Sequence, residues 1–150
     1  FGDWEADTII GLDHKGCIVT LVDRKTKLAL IANVKNKKAE TVKNAIIKML
    51  TPSKDLCHTI TFDNGKEFAM HKEIEQKLNV KTYFAHPYSS YERGLNENTN
   101  GLIRQYIPKK TNFRNIPDSL VKDIIRNLNT RPRKTLGFAS PIEAFLQMNF

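Results

Sequence analysis

Three acidic residues lie in sequence contexts where the predicted local structure does not require a carboxylate. Asp7 lies inside a run of apolar and β-branched residues, where a charge is costly if it is buried without a partner. Asp63 follows another β-branched run and begins the turn signal Asp63-Asn64-Gly65. Glu97 lies in "RGLNENTNG", a helix-like stretch that consists mostly of residues with intermediate or poor helix propensity. These three carboxylates are the candidates for chemistry.

Carboxylates that converge on one spot repel one another, and a hard divalent cation removes that repulsion. Mg²⁺ and Mn²⁺ bind carboxylate oxygens and usually keep several waters or substrate phosphates. Two such ions roughly 3.5–4 Å apart can activate an attacking oxygen and stabilise a leaving oxygen in phosphoryl transfer. Each residue also has an ordinary explanation: a sheet-edge acceptor for Asp7, a turn residue for Asp63 and a surface helix residue for Glu97. Spacing and charge alone leave both interpretations open.

Three further carboxylates are explained by their local sequence. Asp13 and Asp23 fall in predicted turns. Glu67 falls in the first turn of a predicted helix, where negative charge is favoured. We therefore assign these three residues structural roles.

The positive charge of the chain is concentrated in its second half. Residues 1–75 contain 12 Lys and Arg against 11 Asp and Glu, whereas residues 76–150 contain 12 against 5. The excess lies in "RQYIPKKTNFR" and "RPRK". A chain whose positive charge is concentrated in one half favours a polyanionic partner, most often nucleic acid. A solvated basic surface explains the charge about equally well.

The composition narrows the classes of protein to which this chain can belong. No stretch approaches the roughly 18 apolar residues typical of a membrane span, and the first residues do not form a secretory signal. The two cysteines, Cys17 and Cys57, are far apart, and the histidines show no zinc-type pairing with them. We expect no membrane partner, two free thiols and a reducing cytoplasm, with the protein on the nucleoid when it is bound to DNA.

Hydrophobic periodicity predicts an α/β fold with a five-stranded mixed sheet flanked by helices. The predicted elements are strands at 4–12, 17–24 and 28–35, a helix at 39–50, a strand at 57–62, a helix at 66–78, a strand at 80–85, and helices at 91–107, at 117–129 and from Pro141. The first three strands form an antiparallel meander, and the later strands follow helical crossovers, which makes them parallel. Such a sheet could place the ends of the strands that carry Asp7 and Asp63 side by side, with the helix of Glu97 across that edge.

Motifs along most of the chain resemble one known family. The chain resembles the catalytic domain of bacterial insertion-sequence transposases of the IS-thirty type, within the retroviral-integrase-like superfamily, in "WEADTIIG", "LVDRKT", "TFDNGKEFA", "YFAHPYSSYERGLNENTNGLIRQYIPK" and "LNTRPRKTLGFASPIEAF". The resemblance runs from about residue 2 to residue 146. It implies an RNase H-like fold and an Asp-Asp-Glu triad at Asp7, Asp63 and Glu97.

The resemblance also implies a reaction. Phosphodiesters at the 3′ ends of the element are hydrolysed with the help of Mg²⁺ or Mn²⁺, and the freed 3′-hydroxyl then attacks target DNA. Asp7 would bridge two metal ions, Asp63 would hold one of them and Glu97 the other. No covalent protein–DNA intermediate is needed.

The resemblance extends to partners and domain organisation. It implies transposon-end and target DNA as partners and a homo-oligomer as the active complex. We expect residues 1–150 to form a single integrase catalytic core domain, without the N-terminal helix-turn-helix region that recognises element ends in relatives. Two alternatives stay open: an RNase H-like nuclease that cuts without joining, and a DNA-binding module without catalysis.

The residues expected to contact DNA are mostly the basic ones near this site and in the basic second half. Arg104 lies two helical turns after Glu97, so it could meet phosphate bound at the metals. Arg131 to Lys134 form a dense basic cluster of the kind that positions phosphates. The full predicted set is Lys66, Arg93, Asn100, Arg104, Lys109, Lys110, Arg131, Arg133 and Lys134.

Overall fold

The computed structural model of this chain describes residues 1–86 and 94–149, apart from the side chains of residues 94–97 and 149. The strands are β1 (Asp3–Ile10), β2 (Cys17–Asp23), β3 (Ala29–Val34), β4 (Thr59–Phe62) and β5 (Lys81–Phe84). They form one sheet in the order β3-β2-β1-β4-β5. β1, β2 and β3 pair antiparallel, whereas β4 is parallel to β1 and β5 is parallel to β4. The predicted mixed sheet is confirmed, and no strand end moves by more than two residues.

Five α-helices accompany the sheet in the described residues. They are α1 (Ala39–Leu50), α2 (His71–Leu78), α3 (Gly94–Arg104), α4 (Asp118–Thr130) and α5 (Pro141–Asn149). Within the described ranges, none of these helices is long and apolar enough to cross a membrane. Both cysteines are free and buried, as the sequence predicts.

Two helix predictions are wrong in extent. The helix predicted at 66–78 is interrupted: a 3₁₀ turn, Lys66–Phe68, precedes α2, and Met70 between them is not helical. The interruption lets Phe68 stack on Phe62 at 4.6 Å between ring centroids. The helix predicted to reach residue 107 ends at Arg104, because the residues before Pro108 are pushed away from helical geometry.

Each face of the sheet covers its own hydrophobic core. One core joins Trp4, Ala6 and Leu21 of the sheet to α1 and α2. The other joins Ile9 and Ile18 to α3 and α4. Every residue of β2 is buried, which is the expected pattern for a strand covered on both faces.

A single asparagine fastens the edge strand β3 to α4. Asn129 is 8% exposed, and its Oδ1 accepts from the backbone N–H of Ala29 while its Nδ2 donates to the carbonyl of Ala29, both at 2.8 Å. This side chain therefore satisfies both backbone groups of a buried residue on β3. Asn129 belongs to the "LNTRPRKTLG" motif, so that motif has a structural component.

We expect Asn129→Ala to lower the free energy of unfolding by about 2–3 kcal/mol, because it leaves a buried N–H and a buried carbonyl without partners. Asn127→Ala, two residues earlier on the same helix, is the matched control and should change stability by about 0.5 kcal/mol or less. Urea unfolding of both variants measures the difference. Equal stabilities would contradict the role of Asn129.

Candidate active site

Asp7 and Asp63 meet because β1 and β4 are parallel neighbours. The pairing sets Trp4 opposite Ile60 and Glu5 opposite Thr61. The same register continued by two residues sets Asp7 opposite Asp63, just beyond the end of β4. Laterally paired residues on parallel strands point to the same face of a sheet. The two aspartates that the sequence singled out therefore lie toward the same edge of neighbouring parallel strands, and their role as metal ligands stays a prediction.

Asp7 is buried and oriented by its neighbours. Its side chain is on the face that also receives α3, and the residue is 6% exposed. Oδ1 accepts from the backbone N–H of Thr8 at 2.8 Å, and Oδ2 accepts from Asn100 Nδ2 at 3.0 Å. The sequence predicted Asn100 as a DNA contact. The structure gives its amide a partner in the site itself, and a contact with DNA stays a prediction.

The contact with Asn100 places α3 across the edge that carries both aspartates. Glu97 lies three residues before Asn100 on this helix. Its side chain lies outside the described residues, so its place beside the two aspartates stays a prediction. Arg93 lies wholly outside the described residues.

Asp63 is held by the turn that follows it. Its Oδ1 accepts from the backbone N–H of Gly65 at 2.8 Å. A Cβ on Gly65 would overlap Glu67 Oε1 and would stand 2.8 Å from Asp63 Oδ1. Glycine is favoured here by space and not by backbone angle, since φ is −68°.

Glu67 has a larger role than its local sequence indicated. It lies in a first turn, as predicted, but it is buried, with 5% exposure. Its Oε2 accepts from Thr8 Oγ1 at 2.8 Å and pairs with Lys37 Nζ at 2.8 Å. Sequence reasoning missed this cluster because favourable charge in a helix first turn already explained the residue. Asp13 and Asp23 have the structural roles assigned to them: Asp13 lies in an exposed 3₁₀ turn, and Asp23 accepts from the N–H groups that close the β2–β3 turn.

One group of predicted DNA contacts lies at the same edge as the aspartates. Arg104 donates through Nη2 to the carbonyl of Ile10, at the end of β1, and its guanidinium lies 5.3 Å from the ring centroid of Phe113. Burial lowers the pKa of the Arg104 guanidinium. Lys66, which follows Asp63, and Lys109 and Lys110, which follow α3, are exposed.

The second group lies toward the amino end of β1, beside Asn98 and Leu102 of α3. Arg131, Arg133 and Lys134 line a cavity of about 510 Å³ together with Lys27 in the β2–β3 turn and Asn98 on α3. Because β2 is antiparallel to β1, this turn is at the amino end of β1, away from Asp7. The predicted contacts thus divide into two groups, which the sequence did not reveal.

Arg133 is the most constrained of these cations. Its Nη2 donates to the carbonyl of Leu128 at 2.8 Å, whereas its buried Nε has no hydrogen-bond partner in the described part of the chain. Burial, and then the charge of Arg131, lower the pKa of the Arg133 guanidinium. An anion in this cavity would offset the repulsion between the two guanidinium groups.

Among the residues that the structure describes, no three His, Cys, Asp or Glu side chains form a group that could hold a metal ion. Asp7 and Asp63 supply a pair of hard oxygen donors, the ligand type that Mg²⁺ and Mn²⁺ prefer. The described part of the site therefore offers a metal ion two of the three predicted ligands, Asp7 and Asp63.

We expect Gly65→Ala to destabilise the chain by about 1–3 kcal/mol, because the added Cβ must displace Glu67 or the Asp63 carboxylate. Gly101→Ala is the matched control: nothing lies within 4 Å of its added Cβ, and alanine should stabilise the interior of α3 by about 0.5–1 kcal/mol. Thermal unfolding of the two variants should give opposite signs. Stabilisation by both would contradict the packing around Gly65.

Comparisons with known proteins agree on one family. No protein-family model matches the sequence. The chain is 53% identical over 148 residues to the transposase for insertion sequence element IS4351 of Bacteroides fragilis, covering 99% of this chain and 45% of that protein. It is 42% identical over 143 residues to transposase InsI for insertion sequence element IS30A of Escherichia coli strain K12, covering 95% and 37%. The chain spans less than half the length of these curated relatives.

Solved structures agree on the fold. The catalytic core domain of BIV integrase matches with a TM-score of 0.72 and 18% identity, covering 97% of this chain and 94% of that one. A chain in a simian T-cell lymphotropic virus intasome matches with a TM-score of 0.71 and 17% identity, covering 95% and 53%. The predicted resemblance is confirmed: over nearly its whole length this chain is similar to insertion-sequence transposases, among them one for IS30A, and it has the RNase H-like fold of integrase catalytic cores.

Proposed function

We propose that this chain is the catalytic core of a DNA transposase, which cuts phosphodiesters at the ends of an insertion sequence and joins the freed 3′-hydroxyl to target DNA. The observation that carries the proposal is the parallel register of β1 and β4, which, continued by two residues, sets Asp7 opposite Asp63. Both stand at the carboxyl edge of parallel strands, where open α/β sheets bind their ligands. Both curated relatives described above are named as transposases, which supports the same activity.

The cofactor we propose is Mg²⁺ or Mn²⁺, held by Asp7, Asp63 and Glu97. Carboxylate oxygens are the right donors, and Glu97 is on the helix that already contacts Asp7 through Asn100. When bound, two such ions would activate the attacking oxygen and stabilise the leaving one.

The described side chains hold this site in shape. Asn100 orients the Asp7 carboxylate, and the Gly65 N–H orients that of Asp63. Water and then a DNA hydroxyl are the nucleophiles, so the reaction needs no serine or tyrosine nucleophile.

DNA lies along α3 in this proposal. The helix has 11 residues and is about 16 Å long at 1.5 Å per residue, which equals roughly five base-pair steps of 3.4 Å. Lys66, Arg104, Lys109 and Lys110 would contact phosphates at the catalytic edge. Arg131, Arg133 and Lys134 would contact phosphates at the far end of β1, beside Lys27 in the β2–β3 turn. Arg93 and Asn100 complete the proposed set.

The active complex we propose is a homo-oligomer, since two element ends must be joined to one target, and it works in the bacterial cytoplasm on the nucleoid. One of the solved structures with this fold is an intasome, which supports assembly on DNA, and the number of subunits here is open. The two rival functions are a nuclease that cuts without joining and a DNA-binding module.

The catalytic assignment is tested in the complete transposase with end-bearing DNA and Mg²⁺ or Mn²⁺. We expect Asp7→Asn, Asp63→Asn and Glu97→Gln each to lower cleavage and strand transfer about a thousandfold or more, because metal-ion stabilisation contributes several kcal/mol. Asp13→Asn, which changes an exposed turn carboxylate, is the control and should keep activity.

The outcomes separate the three functions. Cleavage without joining by the parent protein would favour the nuclease. DNA binding with neither activity would favour the binding module. Full activity of Glu97→Gln would show that the third ligand is assigned wrongly.

The far-end DNA contacts are tested with this chain, EDTA and a labelled duplex of about 20 base pairs, several times the length of α3. We expect the double variant Arg131→Gln, Lys134→Gln to weaken binding and to reduce the slope of log K against log salt by about 0.9 for each phosphate that the variant no longer neutralises. Lys48→Gln, an exposed charge on α1 on the opposite face of the sheet, is the control. Equal slopes in anisotropy titrations of both variants would contradict the proposed far-end contacts.

A further inference from the structure

We infer that Glu67 is a positioning residue that holds the Asp63 turn against β1 and so sets the spacing of Asp7 and Asp63. The inference rests on the proposed function, because it concerns the pair of aspartates proposed to hold the metal. The sequence context of Glu67 indicates only a local role.

One carboxylate oxygen ties three chain segments together. Oε2 of Glu67 accepts from Thr8 Oγ1 at 2.8 Å and pairs with Lys37 Nζ at 2.8 Å. Thr8 is the residue after Asp7 on β1, and Glu67 is four residues after Asp63. Lys37 comes from the connection between β3 and α1. The carboxylate therefore links the backbone that carries one aspartate to the turn that carries the other.

The second oxygen supports the turn from behind. A Cβ on Gly65 would overlap Oε1, so this oxygen lies directly against the Gly65 backbone. The same Gly65 donates its N–H to Asp63 Oδ1 at 2.8 Å. The position of Glu67 thus limits where the Gly65 N–H can be, and through it where the Asp63 carboxylate can be.

Burial restricts the movement of the Glu67 side chain. The Glu67 side chain is 3% exposed, whereas that of Lys37 is 41% exposed. A buried carboxylate is costly unless it is paired and hydrogen-bonded, so Glu67 cannot leave Thr8 and Lys37 without a penalty. This penalty holds the turn in one position before any metal or DNA binds.

Glu67 acts through other residues and not as a ligand. Its Oε2 already has two donors, and the described carboxylates form no group of three suited to a metal. Residues that orient metal ligands typically affect metal affinity or activity by about 10–100-fold when they are changed.

Three substitutions distinguish a positioning role of Glu67 from a purely electrostatic effect on metal binding. Glu67→Gln removes a negative charge, Lys37→Met removes a positive one, and Thr8→Val changes no charge. Long-range charge alone predicts that Glu67→Gln weakens metal binding, that Lys37→Met strengthens it and that Thr8→Val leaves it unchanged. Positioning predicts that all three weaken it, by about tenfold for Glu67→Gln.

The experiment is a Mn²⁺ titration of this chain without DNA, followed by calorimetry, together with amide hydrogen exchange of Gly65 in EDTA. We expect weaker Mn²⁺ affinity and faster Gly65 exchange in all three variants. The control is Glu73→Gln, which breaks an exposed pair with Lys43 on another surface and should change neither quantity.

Each outcome bears on one proposal. Unchanged Gly65 exchange, or tighter Mn²⁺ binding by Lys37→Met, would overturn the positioning role of Glu67. Absence of Mn²⁺ binding by the parent chain, or its retention in Asp63→Asn, would count against the proposed metal site, and the exchange measurement would still decide the role of Glu67. Since exchange is read without metal, a folded variant with normal protection elsewhere and fast exchange at Gly65 supports the inference directly.

Discussion

The parallel pairing of β1 with β4 is the constraint on which the candidate site depends. Side chains alternate along a strand, so a shift of one residue in this register would send Asp63 to the opposite face from Asp7. The register is held on the buried face by Trp4, Ala6, Ile60 and Phe62, which belong to one hydrophobic core. The apolar core thus decides which polar groups meet on the other face.

The helix that crosses this edge, α3, packs against the domain on one face and leaves another face exposed. Thr99 and Ile103 of α3 are buried against the domain, whereas Gly101 is exposed and Asn100 reaches Asp7. Small and amide side chains are weak helix formers, but they leave room on the exposed face and can hydrogen-bond to carboxylates or phosphates. The tertiary contacts of Thr99 and Ile103 compensate for the low intrinsic helix propensity.

Much of the fold could be predicted because it follows from local periodicity. The five strands, the buried character of β2 and the long helices came from apolar spacing, and the resemblance assigned Asp7, Asp63 and Glu97. The errors lie where tertiary packing overrides local preference. The helix predicted at 66–78 is interrupted so that Phe68 can stack on Phe62. Asn129, to which the sequence assigned no role, satisfies backbone groups of Ala29, 100 residues earlier in the chain.

The sequence by itself indicated most of the elements and the resemblance to transposases, and it singled out the three candidate carboxylates, because these depend on residue type and on spacing along the chain. Only the tertiary structure decided that Asn100 contacts Asp7, that Glu67 joins Thr8 to the Asp63 turn, and that the basic residues form two groups toward opposite ends of β1. Each of these contacts joins residues far apart in sequence, and such contacts are set by strand order and by packing across the sheet, which no local pattern encodes.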